Sequence, residues 1–393
     1  MEASSGKRYT TGHLLNTIVI AGLEVAGLAG ARLVLILIAL SMGASTAFVG
    51  ILAAMFTLFP TVLNIAFGRW VDRVGTFIPM LVACSLAVIA GSLYLLAQTP
   101  WMLALIAGLV GVSAFFSSMV ASRSVGSVAS GNERTRLIGY LVLGYSVFGL
   151  IGPLILSATY EHGGDGWVMV VLAGFGLLAL LLMASGRHYY HNGQPVEVKT
   201  TQKHRTTDLL KLPSLRRWVG INAVFASAQT LFPVVISLLS VEIKLSPFYA
   251  GLMLSGFAAG MTGSRLAIGV LVRYMRPELL ILLSLIFASL MYVLLPFVHE
   301  STWLLICCTL LGIPLGMALP LSISLIYENA PENRISESVA LSYTVTGAFQ
   351  TLTPLVLGVA AGIAGTQLIA LVIAGSLAIA ALSIMSSVRH VTA

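Results

Sequence analysis

Residues 68–75 read GRWVDRVG, placing two arginines and an aspartate together in a chain of which 9% is charged. The runs on either side, VGILAAMFTLFPTVLNIAF at 49–67 and FIPMLVACSLAVIAGSLYLLA at 77–97, are apolar, and each is long enough to cross roughly 30 Å of hydrocarbon as an α-helix. Charge is costly inside lipid, so this clasp belongs at a membrane surface, between two membrane helices.

The rest of the chain follows the same pattern. Its 393 residues are 58% hydrophobic with a mean hydropathy of +0.98, too apolar to clothe a soluble core in a polar surface. Charged residues fall mostly between apolar runs of about 20 residues, and the short alternating strands of a membrane β-barrel are absent. The first run, from about Leu14 to Leu40, is too long for a signal-peptide core and is expected to stay as the first span. Cys84, Cys307 and Cys308 lie in apolar runs without the spacing of a disulfide framework or a metal site. The formal charge of +7 is spread through connectors rather than gathered on one domain, which fits membrane orientation and not nucleic-acid binding.

Apolar runs and polar breaks give twelve spans, beginning near residues 14, 47, 77, 101, 137, 166, 218, 247, 278, 302, 338 and 366. The long polar stretch at 187–217 divides six from six. The expected organisation is an N-terminal bundle at 1–186, a cytoplasmic connector at 187–217 and a C-terminal bundle at 218–393. With the termini in the cytoplasm, 19 of the 21 Lys and Arg residues fall at cytoplasmic ends and loops, the exceptions being Lys244 and Arg32. His188 and His191 suit a solvated basic connector better than a metal site, and no cofactor is expected. An offset of 201 residues aligns Gly68 with Gly269, Asn132 with Asn333 and Pro153 with Pro354, as two similarly folded halves would.

The stretch GRWVDRVG resembles the signature between the second and third helices of the major facilitator superfamily. Gly68, Asp72, Arg73 and Gly75 match it, and Thr76 stands where the family usually has a basic residue. The resemblance implies an all-α membrane fold of twelve helices in two pseudo-symmetric six-helix bundles, and a transporter. It also implies that Asp72 docks on the start of span eleven, near Ser336 to Ser338, and latches the cytoplasmic side. Gly68 would permit close helix approach, and Arg73 would anchor the loop to a carboxylate such as Glu133. In the competing reading the arginines only set topology and Asp72 is solvated.

In span five, GYLVLGYSVFGLIGPLIL is similar to the glycine-rich signature of the superfamily's proton antiporters, through Gly144, Gly149, Gly152 and Pro153. Leu156 and Ser157 replace its last glycines, and a bent, closely packed helix explains the same residues. Span four departs from the family: Ala107 and Val110 stand before Gly111 where many members carry an arginine and a glutamine.

Ionisable residues inside spans are functional candidates by default. Glu24 and Arg32 lie in the first span, about 12 Å and 80° apart, and are expected to line one cavity. Glu24 is the one carboxylate placed deep in the membrane and the candidate proton carrier, with a fixed structural role as the alternative. Arg32 and Arg265 are candidate anion ligands because the guanidinium fork suits carboxylate or phosphate. Arg265 with Gly269 also resembles a motif of the superfamily's monocarboxylate carriers, although Met261 replaces the partner aspartate. Snorkelling to the interface is the other reading of Arg265 and of Arg123. Asn222 and Gln229, seven residues apart on span seven, share a face and are expected either to orient substrate or to bond between helices.

Two transport readings follow. The first is export of a drug-like compound or metabolite by proton antiport; the alternative is proton-coupled uptake of a small carboxylate or other organic anion. Enzyme signatures such as HExxH, GxSxG and GxxxxGK[ST] are absent. A sensor would need a soluble domain for which the short ends leave little room. The expected partners are a small organic substrate, protons and the lipid bilayer of a bacterial inner membrane, with the chain acting as a monomer.

Overall fold

The computed structural model describes residues 11–96, 98–126, 131–187, 206–331, 334–365 and 367–392. Most of the connector, 188–205 with His188 and His191, lies outside them, as does Asn333 of the repeat. Among the described residues the chain forms α1 (Thr11–Ser41), α2 (Thr46–Val74), α3 (Phe77–Leu93), α4 (Pro100–Gly126), α5 (Gly131–Ser185), α6 (Pro213–Glu242), α7 (Pro247–Tyr274), α8 (Pro277–Leu294), α9 (Ser301–Asn329), α10 (Ile335–Ala364) and α11 (Gln367–Thr392).

The breaks fall where local chemistry requires them. Ser45 caps α2, its hydroxyl accepting from the Phe48 N–H at 3.3 Å. Pro213, Pro247 and Pro277 open α6, α7 and α8, where the missing N–H has no helical partner to lose. Gly75 ends α2 at a φ of +88°, a conformation that favours glycine, and its N–H donates to the Val71 carbonyl. Gly164, at a φ of +75°, breaks α5 into two arms. Spans five and six are therefore both in α5, and spans seven to twelve are α6 to α11. Among the described residues ten helices are long and apolar enough to cross a membrane, α5 among them as a 50-residue run. Its two arms, and α3 with 17 residues, complete twelve crossings. Large apolar side chains such as Leu181, Leu290 and Ile379 are exposed on the outer surface, where lipid rather than water is the matching solvent.

Helices α1–α5 and α6–α11 repeat one packing pattern. α2 packs on α4 as α7 packs on α9, α3 on α5 as α8 on α11, and α1 on α5 as α6 on α10. The register is that of the sequence repeat. The Phe56 carbonyl lies where a side chain on Gly111 would stand, and the Phe257 carbonyl does the same at Gly312. Between the two sets, the Pro354 carbonyl meets Gly50 and the Pro153 carbonyl meets Gly251. Each second pair is the first with its members displaced by 201 residues along the chain.

These last contacts belong to two seams, α2 on α10 and α5 on α7, that join the halves. One face of the bundle carries the chain ends and the connector, and both seams are tight near the opposite, far face. Along α2, Gly362 meets Thr46, the Thr57 hydroxyl lies 3.2 Å from that of Thr351, and Gly347 meets Thr61. Along α5, Ser255 donates to the Leu150 carbonyl at 2.6 Å. Toward the connector face a side chain added at Gly68, Gly139 or Gly269 would meet nothing within 4 Å. The halves are thus closed at the far face and diverge toward the connector face.

Candidate functional site

Where the halves diverge, α1, the first arm of α5, α6 and α7 surround a cavity of about 270 Å³. Its lining follows helical spacing: Val25, Ala29 and Arg32 from α1, and Phe257, Met261 and Arg265 from α7, each rise along one face. Tyr145, Gly149 and Pro153 face them from α5, and Gln229 and Phe232 from α6. No carboxylate of the described residues lines this cavity, so two guanidinium groups leave it with excess positive charge. Arg32 lies over the Phe56 ring, 6.0 Å from its centroid, and its buried Nε has no hydrogen-bond partner. Arg265 donates weakly from Nε to the Gly316 carbonyl at 3.4 Å. Phe232 and Phe257 stack with centroids 4.0 Å apart, and the Gln229 amide donates to the Met261 sulfur at 3.2 Å.

Glu24 is not in this cavity, which corrects the expectation that it and Arg32 line one space. The 80° turn between them carries Glu24 into the interior of the first half, where it is 3% exposed between α3 and α4. The Ser113 hydroxyl on α4 lies 2.5 Å from Glu24 Oε2 and 2.6 Å from the Ala83 carbonyl of α3. Glu24 Oε1 has no hydrogen-bond partner among the described residues. Among the described residues no group of three or more His, Cys, Asp or Glu side chains is placed to hold a metal ion.

The profile of the Major Facilitator Superfamily matches residues 17–334 and again 218–392. The chain belongs to that superfamily. It is accordingly a multi-pass membrane transporter of the major facilitator fold and not an enzyme. A mutant crystal structure of the nucleoside transporter NupG superposes with a TM-score of 0.75 at 11% identity, covering 95% of this chain and 99% of that one. A sulfate-bound mutant of the peptide transporter POT gives a TM-score of 0.77 at 13% identity, covering 99% and 97%. At such identities the likeness is one of fold. No curated protein matches the sequence significantly.

The superfamily signature at 68–75 is arranged differently from the expected latch. Asp72 forms an ion pair with Arg123 at the end of α4, within its own half, and both side chains are about one-third exposed. Because α2 and α10 have already parted at Gly68, that glycine makes no close approach, and Asp72 turns to α4. The Ser336 side chain lies outside the described residues, and the Ser338 hydroxyl donates to the Arg334 carbonyl at 3.0 Å. No ion pair joins Arg73 to Glu133 among the described residues. Gly75 has a firm local reason in its positive φ.

Asn222 is also absent from the cavity. Its amide donates to Thr346 at 3.0 Å and to Ser342 at 3.3 Å, and its carbonyl accepts from Ser322 at 2.7 Å, tying α6 to α9 and α10. In the glycine-rich segment Gly152 packs on the Ala26 carbonyl and Gly144 on Ile18, while Gly149 and Pro153 face the cavity. One segment thus serves close packing and the cavity wall together. Sequence reasoning missed Tyr145, Phe232, Phe257 and Ser113. The first three keep helical spacing with Gly149, Gln229 and Arg265, and that was the available signal.

Proposed function

We propose that this transporter moves a small organic anion by alternating access, coupled to protons through Glu24. The observation that carries the reading is a cavity holding Arg32 and Arg265 and no carboxylate of the described residues. A carboxylate or phosphate group would satisfy the guanidinium donors that protein leaves open, and the Phe232–Phe257 stack and Tyr145 offer apolar walls to the rest of the molecule. The volume of about 270 Å³ is at the small end for ligand pockets.

Hydrogen bonding supports Glu24 as the proton carrier. The Ser113 hydroxyl has one proton for two neighbouring acceptors, so a protonated Glu24 that donates to Ser113 frees it to donate to Ala83. Glu24 sits outside the cavity but shares α1 with Arg32, and movement of that helix is the proposed link between proton and substrate. The bundles at 1–186 and 218–393, joined by the connector at 187–217, act as the rocking bodies of one monomer. The excess of Lys and Arg on the connector face supports cytoplasmic termini, and the short loops fit a bacterial inner membrane.

A second reading is export of a drug-like compound by proton antiport, favoured by the Gly149 and Pro153 wall and the largely apolar lining. The deciding experiment is a thermal-shift screen of purified protein with small carboxylates, organic phosphates, cationic drugs and neutral amphiphiles, since a ligand that binds the folded state raises its apparent stability. Stabilisation by anions that disappears in Arg32→Ala supports the anion reading. Stabilisation by cations or neutral amphiphiles alone overturns it in favour of antiport export.

A further inference from the structure

A second crevice lies on the outer flank of the C-terminal half, away from the central cavity. It is cut between α6, α10 and α11 and comprises two spaces, of about 500 Å³ and about 100 Å³, that share Val224, Phe349 and Ser376. Arg216 and Arg217 line the larger space at the connector face, as the fourth and fifth residues of α6, where the helix start adds its own partial positive charge. The smaller space runs deeper, to Leu231 and Leu357, between apolar walls. Between Arg217 and Leu231 the helix rises about 21 Å, a little more than the roughly 15 Å of hydrocarbon in one leaflet.

We propose that this crevice is a binding site for one anionic phospholipid of the leaflet on the connector face. Arg216 and Arg217 hold the phosphate, and one acyl chain lies along α6 past Val224 and Phe349. Three observations support the assignment. Charge and apolarity are graded along the crevice as they are along a lipid, with paired arginines at the level of the headgroups and hydrocarbon walls below. Neither arginine has an ion-pair partner among the described residues. At the deep end the Ser227 hydroxyl is buried, 6% exposed, and has no hydrogen-bond partner among the described residues, so this end of the crevice holds a polar group that packing leaves unsatisfied. Phe349 and Ile379 are 45% and 70% exposed at the rim, which leaves the crevice open sideways to the bilayer. The site is independent of the substrate reading: its ligand is a membrane component, and it shares no residue with the central cavity.

The test is native mass spectrometry of the whole purified chain titrated with phosphatidylglycerol, phosphatidylcholine of the same chains, or inorganic phosphate. Three proteins are compared: wild type, the double variant Arg216→Ala with Arg217→Ala, and Val224→Trp, which fills the shared stretch of the crevice. The expected result is one phosphatidylglycerol retained by wild type and bound about tenfold or more weakly by both variants, with phosphatidylcholine weak throughout. The two variants act on headgroup and chain separately, so misfolding of one leaves the other to report, and thermal melting of each identifies it. Equal retention of both lipids, or no change in either folded variant, overturns the proposal. Retention of inorganic phosphate equal to that of phosphatidylglycerol overturns the lipid as occupant. Absence of any bound lipid in wild type also overturns it.

Discussion

The carbonyl oxygen of Pro354 lies where a side chain on Gly50 would stand, and its counterpart on Pro153 meets Gly251 in the same way. These two contacts close the far face, one in each seam. Gly50→Leu and Gly251→Leu would each overpack a backbone contact that exists only while the far face is shut. Overpacking costs about 1–3 kcal/mol, which shifts the population of the closed state roughly fivefold or more. With Cys84, Cys307 and Cys308 replaced and a reporter cysteine at Ala29 in the cavity, both variants are expected to react faster with a membrane-impermeant thiol reagent added from the far face. Unchanged labelling would mean that these seams do not gate the far side.

At the far end of the α5–α7 seam lies a contact that carries charge. Glu161, near the end of the first arm of α5, accepts from the Phe248 N–H at 2.7 Å and so caps the start of α7 in the other half. An anion at a helix start is worth about 0.3–1 kcal/mol near the surface. Glu161→Gln keeps an acceptor and removes the charge. It is expected to open the far face a few-fold, seen in the same labelling assay, with high salt producing part of the effect in wild type. A Gln variant indistinguishable from wild type at low salt would reduce Glu161 to a loop contact.

The ion pair of Asp72 with Arg123 makes a different prediction from a latch on span eleven. Both groups are about one-third exposed, so their coupling is expected to be modest, about 0.2–1 kcal/mol. Asp72→Ala and Arg123→Ala should each lower transport, the double variant should be no worse than either, and exchanging the two charges should restore part of the activity. Strictly additive losses would show that the two side chains work apart, and that the observed pair is incidental to function.

Much of this was legible in the chain because membrane burial leaves few choices. The spans were read from apolar runs between polar, Gly- and Pro-rich breaks, and the repeat from Pro153 and Pro354, since backbone requirements are local. Arg32, Arg265 and Gln229 were found because polar groups inside spans are rare, and they do meet at one cavity. The sequence could not say which way such a residue turns. Glu24 and Asn222 lie on the same helices as Arg32 and Gln229 yet face the interiors of their own halves, because Ser113 and Ser322 on neighbouring helices supply hydrogen bonds there. The closed far face and open connector face also decide whether Asp72 reaches α10, and a single sequence holds both arrangements.

Glu24 and Ser113 separate a proton carrier from a structural acid. In Glu24→Gln the amide can donate to Ser113 as a protonated carboxyl would, so stability is expected to change by about 1 kcal/mol or less. Ser113→Ala strands a buried carboxyl and should cost about 1–3 kcal/mol, visible as a lower melting temperature. If Glu24 loads and releases the coupling proton, wild-type accumulation in proteoliposomes rises with an imposed proton gradient, whereas Glu24→Gln loses that response. Because Arg32 and Arg265 are untouched, the same variant should still bind ligand and exchange labelled for unlabelled substrate at near wild-type rates. Loss of exchange together with gradient-driven transport would make Glu24 a structural tie between α1, α3 and α4, and retention of both would move proton coupling to another group.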